Sequence, residues 1–385
     1  MELDYRSAKN TCPPAIAPAQ RLKRLELLRA LIGEAGHAAA LLGATASLRY
    51  FTGVKWNPSE RFLGAIVSAA GGLTYIAPGF ERDKVAGIIG VPGEILTWEE
   101  DESPYRLIAQ AVPRGTLALD DQIPLFTYLG LARELGRERL ADAGPLINRL
   151  RRAKEPAEIA LMAHAKTITL EVQRRAWASL KAGTRVSEIV RFIDNEHRAF
   201  GADGGNTFCL VSFGDDTTLP HGGEGDRALK EGDVVLIDTG CRIDGYNSDI
   251  TRTYVFGEPG GRVREIWNLE KEAQAAAFAA ARPGALCESV DAAARKVLVS
   301  AGLGPNYRLP GLPHRTGHGI GLEVHEAPNL VRGDKTPLST GMCFSNEPMI
   351  VIPGAFGVRL EDHFYMTESG PRWFTEPSPS LDRPF

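Results

Sequence analysis

A chain of 385 residues, 43% hydrophobic and 24% charged, is long enough for two or three domains and has the balance of a soluble globular protein. Its 44 basic and 48 acidic residues leave a net charge of −4, which excludes the basic footprint of a nucleic-acid or anionic-membrane binder. No stretch approaches the roughly 18 apolar residues of a membrane span, and the first residues lack a signal peptide's basic and apolar regions, so a cytoplasmic location is expected.

Residues up to about Ala19 are rich in Pro and Ala, and Pro13, Pro14 and Pro18 predict an irregular arm. From Gln20 to about Ala35, Leu22, Leu25, Leu28, Leu31 and Ile32 recur at helical spacing, and Gly36 stands where a helix would stop. Apolar runs at Ala38 to Leu42, Phe62 to Ser68 and Leu73 to Ala77 predict strands, with Gly71-Gly72 as a hairpin turn. Helices over Glu81 to Ile89 and near Tyr105 to Ala111, then a strand over Thr116 to Leu119, complete an alternation that predicts an α/β domain over residues 1–150. Gly71-Gly72 has no G-x-G-x-x-G context, so no nucleotide site is expected. The basic run Ile147 to Pro156 marks the domain boundary, and its arginines read as a solvated linker face.

Residues 151–385 form the second domain. Two long helices, about Pro156 to Leu180 and Val186 to Phe200, precede a strand over Thr207 to Phe213. Further helices are predicted over Arg262 to Ala281 and Ser289 to Ala301, and a half rich in strand patterns follows, which fits an α+β class. Cys12, Cys209, Cys241, Cys287 and Cys343 show no C-x-x-C spacing and read as buried thiols.

Within this domain the strand pattern Val234 to Gly240 carries a carboxylate, Asp238, and Ser248 to Thr253 carries another, Asp249. Burying a carboxylate is costly without a cation or several donors beside it. Asp244-Gly245 is a two-residue hairpin signal, and strands paired about it set Asp238 opposite Thr251. Period two then puts Asp249 on the same face as Thr251, so both carboxylates point one way as diagonal neighbours.

A second acidic pair lies in the stretch Asn346 to Asp362. With Pro353-Gly354-Ala355 as a three-residue loop, Glu347 falls opposite Glu361. Between the two hairpins, His314 and His318 have the spacing of a helical zinc pair, but Gly317, Gly319 and Gly321 oppose a helix and the Glu of H-E-x-x-H is absent. The glycines flanking His318 read instead as room for close approach to a ligand. Four carboxylates and an imidazole suit Mn, Co or similar divalent ions. Neutralisation by Arg252 and Arg359 alone would set two cations against four anions.

Taken in order, Asp238, Asp249, His318, Glu347 and Glu361, within LIDTG, SDITRT, HRTGHGIG, SNEP and GVRLED, resemble the pita-bread metallopeptidases. The nearest likeness is to the Xaa-Pro dipeptidases (prolidases) and aminopeptidase P. The resemblance covers nearly the whole chain and implies an α/β creatinase-like N-terminal domain before an α+β pita-bread catalytic domain. By it, Asp249 and Glu361 would bridge two divalent metal ions, Asp238 would chelate one, and His318 with Glu347 would complete the other. Manganese is the first expectation, ahead of cobalt or zinc. The reaction implied is hydrolysis of an Xaa-Pro bond by a hydroxide bridging the ions, with Glu347 moving its proton to the leaving nitrogen. His221 and His325 match the family's two other active-site histidines, which contact substrate and steady the tetrahedral intermediate. His314 matches a residue lining the proline pocket. Thr251 and Arg359 match groups that orient Asp249 and Glu361, with Arg359 also on the substrate side.

A dipeptidase must also neutralise a product-side carboxylate, and Arg49 with Tyr246 are the candidates for that task. The expected substrate is a small peptide with proline second, cut as a dipeptide. The alternatives are an aminopeptidase P acting on longer peptides and a metal-dependent small-amide hydrolase such as an ectoine hydrolase. Creatinase-type and non-catalytic members typically lose metal ligands, so an intact set points to a metal enzyme. The resemblance also implies a homodimer. Asp362 and His363 carry no assigned role.

Overall fold

The computed structural model describes residues 3–385, which divide into two units. One is Ile16–Arg151; the other joins the segment up to Ala15 to Arg152–Phe385.

The first unit is a six-stranded mixed sheet in the order Glu94–Trp98, Leu73–Pro78, Gly64–Ser68, Ala39–Gly43, Leu117–Leu119, Leu140–Asp142. Ala39–Gly43 is central and buried along its whole length. Its run of small and branched apolar residues is what a strand covered on both faces requires. The helix Pro18–Glu34 starts on a Pro in its first turn and buries Leu25, Leu28, Leu31 and Ile32, leaving Leu22 exposed. Helix Ala46–Thr52 is capped by Thr45, whose hydroxyl accepts from the Ser47 amide, and it stops at Gly53 with φ 83°. Arg49 sits on this helix. The helix Leu125–Leu135, absent from the sequence reading, is apolar around much of its circumference; Leu125, Phe126 and Leu129 are exposed, so no one-sided stripe marks it.

Two expectations are corrected in this part of the chain. The N-terminal segment is not a plain arm: helix Tyr5–Asn10, capped by Asp4, lays the Tyr5 ring 4.6 Å from Phe200, and its hydroxyl donates to Glu196 at 2.9 Å. The basic run is not uniformly solvated either. Arg151 is buried and donates to Ser47 Oγ at 3.3 Å, and Lys154 is buried in an ion pair with Glu326 at 3.0 Å. Counting like charges along a stretch misses partners far away in sequence.

In the second unit, helices Pro156–Ser179 and Val186–Ala199 lead into strands Asn206–Phe213, Val234–Ile243 and Ile250–Val255, with Val234–Ile243 in the middle. Helices Gly261–Ala280 and Cys287–Ser300 follow. A five-stranded sheet then runs Glu326–Leu330, Gly317–Gly319, Cys343–Asn346, Asp362–Thr367, Gly370–Trp373, beside the hairpin Met349–Ile352 with Phe356–Arg359. One apolar core takes in Val234, Leu236, Trp267, Ile350, Val358 and Phe364. Burial of such side chains supplies roughly 1.5–3 kcal/mol each. The face that carries Val234 and Leu236 inward carries Asp238 two residues later, so the core itself aims that carboxylate.

Candidate metal centre

Both acidic hairpins have the register their turns predict. Asp244 and Gly245 take positive φ of 44° and 80°, as a two-residue turn of that kind needs, and Thr251 pairs with Asp238. Ile352 pairs with Phe356 across Pro353-Gly354-Ala355. Met349 opposite Arg359 and Asn346 opposite Asp362 then bracket Glu347 and Glu361 on facing positions. The hairpins meet through a bridge between Thr251 and Glu361, in which the Glu361 amide donates to the Thr251 carbonyl at 3.1 Å.

Around that bridge the side chains interlock. The Thr251 hydroxyl donates to Glu361 Oε2 at 2.7 Å and accepts from Arg359 Nε at 3.0 Å. Arg359 Nη2 donates to Asp238 Oδ2 at 2.6 Å, and Nη1 to the Pro220 carbonyl at 3.3 Å, tying the His221 loop to the carboxylates. His318 is 1% exposed. Its Nδ1 lies 2.9 Å from the Gly319 carbonyl, which can only accept, so Nδ1 carries a proton. Nε2 then faces Glu347 Oε1 at 3.1 Å and Asp249 Oδ2 at 3.7 Å. Ser345 Oγ accepts from the His318 amide at 2.8 Å and donates to Glu347 Oε1 at 3.2 Å.

The glycines beside His318 have a different cause from the one expected. A Cβ at Gly317 would overlap the Ser345 carbonyl oxygen, and one at Gly319 would overlap that of Glu326. They admit neighbouring strands rather than a ligand.

Electrostatics at the cluster are severe. Burial, then the charges of Glu361, Asp238 and Glu347, pushes the Asp249 carboxyl well above the usual range. Burial and the neighbouring carboxylates likewise raise Glu361 and Asp238, with Arg359 opposing. Burial also pushes Glu347 upward, but the His318 hydrogen bond and the charges of His318, His314 and Arg359 outweigh it and hold this carboxyl below the usual range. Asp238 Oδ1, Asp249 Oδ1 and Glu361 Oε1 are buried with no hydrogen-bond partner among the described residues. Orphaned carboxylate oxygens converging with an imidazole nitrogen fit divalent cations, and groups drawn from Asp249, His318, Glu347, Glu361, His325 and His363 place ligand atoms within 4.8 Å of one another.

Other residues singled out from the sequence fall at different distances from this cluster. The His325 ring lies 4.2 Å from that of His318 in a residue that is exposed overall; partial desolvation, His318 and Arg315 depress it to about 4, so it is neutral. His221 is exposed on its loop, near enough to His325 to contribute to that depression. His314 Nδ1 bonds the Arg315 carbonyl at 2.7 Å, and its Nε2 is buried without a partner among the described residues. Tyr246 is not brought in: its hydroxyl is buried and donates to Glu158 at 2.8 Å. Arg49 belongs to the first unit. Two groups went unassigned in the sequence. His363 falls two residues after Glu361, on the same strand face by period two, a signal that was available. Lys166 is fully buried and donates to the Asn247 carbonyl at 3.0 Å; burial depresses it to about 8. Its place depends on long-range packing and left no local mark.

The family model for Metallopeptidase family M24 matches residues 160–368, and that for the Creatinase/Prolidase N-terminal domain matches residues 24–153. Among curated proteins, a probable dipeptidase, PepE, of Mycobacterium tuberculosis is 36% identical over 357 residues, spanning 90% of this chain and 92% of that protein. Among solved structures, dipeptidase PepE from Mycobacterium ulcerans is 34% identical with a TM-score of 0.86, covering 94% of this chain and 97% of that one. A prolidase from Thermococcus sibiricus is 32% identical with a TM-score of 0.83, covering 92% and 96%. The α/β unit is thus of the creatinase N-terminal type and the α+β unit has the pita-bread fold. The chain belongs to metallopeptidase family M24.

Proposed function

We propose that this metallopeptidase is an Xaa-Pro dipeptidase using two divalent ions held by Asp238, Asp249, His318, Glu347 and Glu361. The observation that carries the reading is the meeting of two hairpins and the His318 strand, which aims four carboxylates and one imidazole nitrogen at a common space. Arg359 is too little cation for that much buried negative charge. Bound ions would supply a water nucleophile at neutral pH and a Lewis acid for the scissile carbonyl. Manganese suits a set dominated by carboxylates.

The chain's own groups divide the remaining work. Thr251 and Arg359 fix the orientation of Glu361 and Asp238. Glu347, with Oε1 engaged by His318 and Ser345, takes the proton from water on its other oxygen and returns it to the leaving proline nitrogen. Neutral His325 and the loop residue His221 donate hydrogen bonds to the substrate carbonyl as charge develops there. His314 lines the proline side. A dipeptidase preference draws support from the relatives named dipeptidase and prolidase.

The test is a pair of assays on the Mn-loaded protein. Release of proline from Ala-Pro with Ala-Pro-Ala left intact supports the dipeptidase. Cleavage of Ala-Pro-Ala would redirect the reading to an aminopeptidase, and failure on both to a small-amide hydrolase.

A further inference from the structure

We propose that His363 is a ligand of the metal centre, joining Asp249 and Glu361 on one ion and giving the site a second imidazole beside His318. This rests on the metal-dependent reading above and adds a residue to it.

Strand geometry puts the ring there. Along Asp362–Thr367, Phe364 and Met366 enter the apolar core, while Asp362 is taken by Arg252 at 2.7 Å and by Gln274 at 3.1 Å. The alternate face carries Glu361 and then His363 toward the carboxylates. His363 is fully buried, and both of its ring nitrogens lack a hydrogen-bond partner among the described residues. A neutral imidazole has one donor and one acceptor to satisfy, and leaving buried polar atoms unpaired costs on the order of 1–3 kcal/mol each.

The partner it faces is equally unsatisfied. Nε2 of His363 lies 3.7 Å from Glu361 Oε1, which also has no partner among the described residues. That distance is too long for a hydrogen bond. Two ligands on one ion, each about 2.1 Å from it, sit roughly 3–4 Å apart. The same spacing occurs on the other side of the cluster, where His318 Nε2 stands 3.1 Å from Glu347 and 3.7 Å from Asp249. Asp249, Glu361 and His363 together place ligand atoms within 4.8 Å of one another. The two imidazole centroids are 6.4 Å apart, so both rings can serve the centre without touching. Lys166, close enough to influence His363, is already bonded to the Asn247 carbonyl and offers no acceptor.

Titrating Mn(II) into the chelator-stripped full chain, labelled with 15N in histidine only, tests the assignment by pulsed electron paramagnetic resonance. Wild type is expected to take up two ions and show nitrogen couplings from two imidazoles. His363→Gln should lose one set of couplings, and one ion should bind at least about tenfold more weakly. Melting of the stripped proteins separates lost ligation from lost folding, and His318→Gln should remove the other set of couplings. A wild type with two ions but couplings unchanged by His363→Gln overturns the inference and leaves the metallopeptidase reading standing. A wild type that takes up no Mn(II) overturns both.

Discussion

Arg359 donates from Nη2 to Asp238 Oδ2 at 2.6 Å, so one buried cation fixes one of the four clustered carboxylates. Its Nε simultaneously holds Thr251, and through it Glu361. Arg359→Lys keeps the charge but cannot form both contacts from a planar fork. It is expected to lower kcat/KM about 10- to 100-fold and to weaken metal retention, with both quantities falling together. Steady-state kinetics alongside metal content after dialysis check this; loss of activity with full metal occupancy would assign Arg359 to substrate binding instead.

Asp249→Ala or Glu361→Ala is expected to remove activity and bound metal together, and a mutant that kept two ions and full turnover would sink the assignment. Asp249→Asn has a second, opposite consequence in the stripped protein. Burial and three neighbouring carboxylates already oppose ionisation of Asp249, so replacing it by a neutral isostere should raise the melting temperature of the metal-free chain by a few degrees. The same variant should lose the metal-induced rise seen in wild type. Calorimetry with and without Mn(II) measures both.

His197 offers a pH prediction away from the metal cluster. Burial depresses it from 6.5 to about 4 in the folded chain, where its Nε2 lies 3.1 Å from Thr169 Oγ1. Between those values the unfolded chain binds the proton and the folded one resists it. Its contribution is therefore complete above pH 6.5 and is lost as the pH falls towards 4, reaching a difference of about 3 kcal/mol. Urea unfolding from pH 7 to 4.5 should show a shallower acid decline in His197→Gln than in wild type. Parallel declines would rule His197 out as a source of acid sensitivity.

Two glycines should respond oppositely to alanine. Gly317→Ala would drive a Cβ into the Ser345 carbonyl, a backbone atom that cannot move aside alone, and should cost more than about 2 kcal/mol and misplace His318. Gly33, in helix Pro18–Glu34 with nothing near its would-be Cβ, should gain about 0.5–1 kcal/mol as Ala. Chemical denaturation of both variants decides.

Tyr246→Phe removes the hydrogen bond to Glu158. It is expected to reduce stability by roughly 1–2 kcal/mol while KM for Ala-Pro stays within about twofold. A large rise in KM with unchanged stability would restore the substrate role expected from the sequence.

Residue types, periodicity and turn chemistry by themselves determined much of this protein's local structure. Asp244-Gly245 and Pro353-Gly354-Ala355 are local signals, and each dictates its hairpin register, so the facing of Asp238 with Thr251 and of Glu347 with Glu361 was legible directly. Period two from Thr251 likewise put Asp249 on the same face as Asp238, whereas the unbroken apolar run Val234 to Ile237 did not by itself say which way that face would point. What only the tertiary structure decided is the joining of those hairpins. The Thr251 to Glu361 hydrogen bond spans 110 residues, and Arg359 reaches Asp238 across 121. The burial of Arg151 and Lys154, the docking of Tyr5 on Phe200 and the unpaired nitrogens of His363 belong to the same class. Turn and strand preferences act over a few residues, whereas these contacts exist only because a shared apolar core brings distant segments within hydrogen-bond reach.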